Sequence, residues 1–197
     1  MFDDDLVLAL SPIDRAFSQL EIRYFVGGSV ASSFRGAMRS TMDVDLVADL
    51  FDHQVKPLLE RLSGEYYASE PAIRDAIIRK ASFNLIHLAT SFKIDVFVNQ
   101  QRDFDKTAFG RATIEHLGSK LGGVNVPLAT VEDIMLAKLK WYRLGDETSE
   151  RQWEDLFRLS RLHRHTLDWN YLGHHAQELE VGDLLERLRT RLARNGI

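Results

Sequence analysis

Two short runs constrain this chain more than any other feature. Asp43-Val44-Asp45-Leu46-Val47-Ala48 and Lys93-Ile94-Asp95-Val96-Phe97-Val98 each alternate polar and apolar side chains, the period of a strand with one face in a core. Residues two apart on a strand share a face at about 6.6 Å, so Asp43 and Asp45 point one way and Val44 and Leu46 the other. The same rule puts Ile94, Val96 and Val98 on one face and leaves Asp95 on the opposite one, beside Lys93 and Phe97. A carboxylate in an otherwise apolar strand is costly unless it meets water, a partner or a cation. Three on neighbouring strands repel one another. Hard divalent cations with oxygen ligands, Mg²⁺ or Mn²⁺, relieve that repulsion, and a carboxylate-rich site with open metal positions suits phosphoryl chemistry. The plain alternative for Asp43 and Asp45 is a solvent-facing pair on an edge strand.

A second element complements the carboxylates. Tyr24-Phe25-Val26 is a short β-rich run that ends in Gly27-Gly28, and the small residues from Ser29 to Phe34 are compatible with a helix start. A glycine turn feeding a helix presents backbone N–H groups at the positive end of the helix dipole. At Gly28 no side chain blocks an approaching phosphate, and Ser29 adds a hydroxyl. The alternative is a plain strand-to-helix turn, which any α/β unit needs.

Around these elements the chain shows two textures. Up to about residue 127 short strand-like runs alternate with helical ones: a helix over 5–20 with a break or new start at Ser11-Pro12, helices near 52–63 and 70–80, and a strand near 82–90. Residues 111–127, with Gly118, Gly122, Gly123 and Pro127, read as a loop or short-strand boundary. Helices near 130–144, 149–163, 168–179 and 181–194 follow, with Ser149 and Asp168 as caps. The expected fold is α+β, a small mixed β-sheet core with flanking helices over 1–127 and a helical bundle over 128–197.

Composition narrows the chemistry. A chain of 197 residues is long enough to bury about 70% of its unfolded surface, in one core or a core with a small addition. It has no cysteine, which excludes disulfides, thiolate metal sites, iron–sulfur clusters and a cysteine nucleophile. The formal charge of −4 argues against a global electrostatic grip on nucleic acid. The densest basic run, Arg187, Arg189, Arg191 and Arg194, reads as the solvated face of a terminal helix. The acidic opening Met-Phe-Asp-Asp-Asp is unlike a signal peptide, and no apolar run approaches the roughly 20 residues of a membrane span. A cytoplasmic protein without membrane partners is expected.

Gly28-Ser29, then Asp43-x-Asp45, then a later strand bearing Asp95 resembles the nucleotidyltransferase superfamily of the DNA polymerase β type. The resemblance covers about residues 22–98. It implies a minimal nucleotidyltransferase core with a two-ion Mg²⁺ (or Mn²⁺) site: Asp43 and Asp45 bridge the metals, and Asp95 completes one site and helps deprotonate the acceptor hydroxyl. Gly27, Gly28 and Ser29 would bind the nucleotide phosphates of an NTP. The helical half, from Thr130-Val131-Glu132-Asp133-Ile134 through Lys138 and Tyr142 to Arg151 and Asp155, is similar to abortive-infection type nucleotidyltransferase toxins. That similarity implies a toxin with an antitoxin partner. The acceptor is left open among a protein, an RNA and a small molecule.

Lys138 carries a separate argument. At 100° per residue from Val131 it falls near the centre of an apolar arc with Ile134, Met135, Trp141 and Tyr142, while Lys140 and Asp133 fall opposite. It is either a nucleotide-binding lysine that reaches a phosphate or an ammonium that snorkels out or pairs with a core carboxylate. Arg151 and Asp155, four apart, read as a surface ion pair.

Two rival readings compete for the same residues. One is a catalytically silent nucleotidyltransferase-fold binding or regulatory module. The other is a serine hydrolase, because Gly27-Gly28-Ser29-Val30-Ala31 approaches a nucleophile elbow with Ser29 as nucleophile and Asp95 with His163 or His174 completing a triad. The histidines lack the i, i+4 spacing of a helical zinc pair, and no Walker or Gly-x-Gly-x-x-Gly motif occurs.

Overall fold

The structure is a computed structural model and describes residues 4–37, 43–119 and 122–194. Its architecture is α+β, built on a mixed sheet of seven strands in the order β3-β4-β5-β2-β1-β7-β6. By contacts the chain divides into two compact units, Met1–Val30 with Ser40–Leu128, and Ala31–Arg39 with Ala129–Ile197. The sequence reading put all of 1–127 in one body. In the structure the boundary falls inside α2 (Gly28–Phe34), and the end of that helix belongs with the C-terminal helices.

The first unit is the sheet with its flanking helices. Strands β2 (Asp43–Ala48), β4 (Ser82–His87) and β5 (Lys93–Val98) bury every second residue, as their alternation predicts. Val44, Leu46, Leu85, Ile94 and Val96 are buried, as are Leu10, Ile13 and Phe17 of α1 (Asp4–Gln19) and Leu58 and Leu62 of α3 (Val55–Leu62). The hydroxyl of Tyr66, in β3 (Tyr66–Ala68), donates to the Ala9 carbonyl at 2.6 Å and ties the edge strand to α1. Strand β2 runs parallel to β5 and antiparallel to β1 (Tyr24–Val26), while β4 runs antiparallel to β5.

Three expectations change here. Helix α1 continues through Pro12 without a break, and the Ser11 hydroxyl donates to the Val7 carbonyl at 2.7 Å instead of capping a new helix. One lost backbone bond is tolerated because a buried face of Leu6, Ala9, Leu10, Ile13, Ala16 and Phe17 holds both halves down. The glycine-rich boundary is in fact a hairpin, β6 (Thr113–Ser119) with β7 (Gly122–Leu128), which joins the sheet through Val26 and Leu128. Glycines weaken strand propensity, and here cross-strand pairing overrides it. A helix, α5 (Asp103–Arg111), also forms where the sequence shows no regular pattern.

The second unit is helical: α6 (Val131–Leu144), α7 (Glu150–Leu162), α8 (Trp169–Glu178) and α9 (Gly182–Arg194). Ser149 accepts from the Gln152 N–H, and Asp168 from those of Asn170 and Tyr171, so both expected caps form. The 31–37 segment is tied to these helices. Arg35 Nε donates to the Ala129 carbonyl at 3.3 Å, and the Arg35 carbonyl meets His163 Nε2 at 2.7 Å. Arg187, Arg189 and Arg194 of α9 are exposed, as expected for the solvated face of a terminal helix. Arg187 stacks over Trp153 at 4.6 Å and Arg191 over Phe157 at 4.2 Å, locking α9 onto α7. No helix among the described residues is long and apolar enough to cross a membrane.

Candidate active site

Sheet register assembles the carboxylates. Across the parallel β2–β5 pair Asp45 stands opposite Asp95 and Asp43 opposite Lys93, and neighbouring strands lie about 4.8 Å apart. The antiparallel β4 places Asn84 on the far side of Asp95. Asp45, Asp95 and Asn84 therefore form one row on the polar face of these strands. Asp43 and Lys93 form the next row.

The glycine turn meets the same row. The Gly27 N–H donates to the Asp45 carbonyl at 2.8 Å, which fixes the end of β1 against β2. Gly28 has φ +53, a left-handed conformation that L side chains rarely adopt, and a Cβ there would overlap the Asp45 carboxylate. The group that exploits the missing side chain in this structure is thus the carboxylate of Asp45. Ser29 follows, half-buried, as the second residue of the seven-residue α2.

Lys93 is the residue the sequence reading passed over. Its ammonium lies 2.9 Å from Asp95 Oδ2 and 3.9 Å from Asp43 Oδ1. The hydrogen bond to Asp95, and then the charges of Asp95, Asp43 and Asp45, hold its pKa above the ordinary lysine value, so it is a cation at every physiological pH. The signal was available: the period of two puts Lys93 on the polar face of its strand beside Asp95.

Three carboxylates on one open face offer hard oxygen donors that fit Mg²⁺ or Mn²⁺ in kind and in register. As they stand, no three acidic or histidine side chains among the described residues are gathered closely enough to hold an ion. One Asp95 oxygen is engaged by the Lys93 ammonium.

Lys138 sits elsewhere, in the helical unit. It is buried on α6 as its place on the apolar arc predicts, and its ammonium meets Asp155 Oδ2 at 3.2 Å. Asp155 is therefore the buried partner of Lys138 rather than half of a surface pair with the exposed Arg151. Two further residues of α6 depart from expectation. Trp141 is half exposed, and Asp133 is buried, accepting from Thr130 and Tyr171 hydroxyls. His163 is engaged by the Arg35 carbonyl and His174 is exposed.

No protein-family model matches the chain, and no curated protein sequence does. Solved structures do match it. The solution structure of the antibiotic-resistance factor ANT(2'')-Ia aligns with a TM-score of 0.51 at 16% identity, over 99% of this chain and 98% of that one. A crystal structure of ANT(2'')-Ia in complex with adenylyl-2''-tobramycin aligns at 0.51 and 16%, over 95% and 98%. An antigenic nucleotidyltransferase-like protein from Paracoccidioides brasiliensis aligns at 0.51 and 17%, over 94% and 91%. With the mixed sheet, the glycine turn and the open row of carboxylates, these likenesses establish that the chain has the nucleotidyltransferase fold.

Proposed function

We propose that this protein transfers a nucleoside monophosphate from an NTP to a hydroxyl of an acceptor, with Asp43, Asp45 and Asp95 as its acidic centre. The observation that carries the reading is the register of Asp45 with Asp95 on an open face, with Gly28 packed against the Asp45 carboxylate. In this reading the backbone of Gly27, Gly28 and Ser29, at the start of α2, holds the outer phosphates. Asp95 takes the proton as the acceptor oxygen bonds to the α-phosphorus, and the bond from that phosphorus to the pyrophosphate oxygen breaks. Asp43 and Asp45 are the residues that would hold a divalent pair, which when bound supplies charge neutralisation and polarisation of the α-phosphate. In this proposal Lys138 braces α6 against α7 through Asp155 and is not assigned to phosphate.

The adenylyl-2''-tobramycin complex of a fold neighbour supports ATP as the donor and a small hydroxylated molecule as the acceptor. A toxin role enters only through the sequence resemblance, and growth arrest on expressing the wild type but not Asp45→Asn would be its signature. The central test is transfer of labelled nucleotide by the purified protein with Mg²⁺ and candidate acceptors. Asp43→Asn or Asp45→Asn should abolish it, and either variant keeping near wild-type transfer sinks the assignment. Calorimetry with the four NTPs separates a silent binding module, which would bind nucleotide without turnover.

A further inference from the structure

The carboxylate row already contains a cation, and it is covalently part of the chain. The Lys93 ammonium lies 2.9 Å from Asp95 and 3.9 Å from Asp43, and its side chain keeps 41% of its exposure. Its strand position makes it the register partner of Asp43 and puts it two residues before Asp95, so backbone pairing alone delivers it between the two carboxylates. An ammonium bonded to a carboxylate oxygen occupies a lone pair that a divalent cation would need. Two positive charges at that distance also repel.

We propose that Lys93 is the resident counter-ion of the acidic centre and couples divalent-cation binding to nucleotide binding. While the site is empty of substrate, Lys93 neutralises Asp95 and Asp43 and keeps affinity for the cation low. When cation and nucleotide enter together, the carboxylates turn to the cation. The released ammonium, half exposed on a flexible stem, takes the triphosphate as its new anion. Each ligand then favours the other, because each removes part of the cost of breaking the Lys93 pairs. Lys93 thus pairs with the carboxylates before substrate enters and with the triphosphate afterwards. The inference rests on the nucleotidyltransferase reading of the site.

Mn²⁺ titration followed by the electron paramagnetic resonance of the free ion tests it, with and without a non-hydrolysable ATP analogue. Wild type should bind Mn²⁺ weakly alone and more tightly with the analogue. Lys93→Met should bind Mn²⁺ alone about tenfold more tightly than wild type, the order expected for removing one unit charge a few ångströms away at a partly exposed site. Its gain from the analogue should shrink. Lys93→Arg, which restores the charge, should return both quantities toward wild type. Equal Mn²⁺ affinity of wild type and Lys93→Met without nucleotide, or an undiminished gain in the variant, overturns the proposal and leaves the site reading intact. Absence of Mn²⁺ binding in wild type and in Lys93→Met, with or without the analogue, overturns both.

Discussion

Two lysine–aspartate pairs of the molecule stand in opposite surroundings. Lys93 and Asp95 meet at 2.9 Å on an open sheet face, with side-chain exposures of 41% and 18%. Lys138 and Asp155 meet at 3.2 Å between two helices, both at 11%. Water competes for the first pair, so its net contribution to stability is small and its partners can exchange. The second pair has no such competitor, and breaking one side of it strands a charge in a packed interior. A lysine beside an aspartate is therefore a replaceable counter-ion in one unit and a brace in the other, and what separates them is solvent.

That contrast can be broken at several points. The largest effect expected is on catalysis: Asp45→Asn or Asp95→Asn should lower nucleotide transfer by roughly 10² to 10⁴ while leaving the thermal transition nearly unchanged. Lys138→Met should destabilise the helical unit by about 3–5 kcal/mol in urea unfolding, because Asp155 is left buried and unpaired. Restoring packing with Lys138→Met and Asp155→Leu together should recover most of that loss. A double variant no better than the single one would mean that the buried pair is not the brace described. Gly28→Ala should cost about 1–2 kcal/mol for its positive φ and also lower transfer, since the new methyl displaces the Asp45 carboxylate. Lys93→Met, by contrast, should shift unfolding by less than about 1 kcal/mol.

The smallest effect expected is at high pH. Burial, and then the hydrogen bond to Asp14, raise the pKa of Tyr24 above its ordinary value of 10.0. Burial raises Tyr66 likewise. Each phenol stays protonated when folded but ionises above pH 10 once unfolded, so the stability it contributes is fully present below pH 10 and declines as the pH rises beyond it. Tyr24→Phe should flatten that alkaline decline in a thermal-shift series from pH 8 to 11. An unchanged slope would show that other groups set it.

The sheet strands were legible because their alternation reports burial of one face directly. Asp43 and Asp45 on one strand, and Asp95 on another, could each be placed on the polar side of its own strand by period alone. The last four helices were equally legible, with Ser149 and Asp168 marking two starts. The β6–β7 hairpin was not, because its glycines depress every local strand signal and only pairing with β1 makes it part of the sheet. Pro12 misled for the opposite reason: a strong local breaker was outvoted by the buried face of α1.

Residue order along the chain dictated which side chains share a face, and hence that three carboxylates and Lys93 lie on polar sides of their strands. It was silent on which strands lie side by side, because non-local pairing depends on the whole set of buried faces finding one arrangement. Only the folded sheet set Asp45 against Asp95, laid the Asp45 carboxylate on Gly28, and brought Lys93 onto Asp95. Packing of α6 on α7 likewise decided that Lys138 would find Asp155. Periodicity is a property of single elements, whereas the charge that each carboxylate meets is set by elements far apart in sequence.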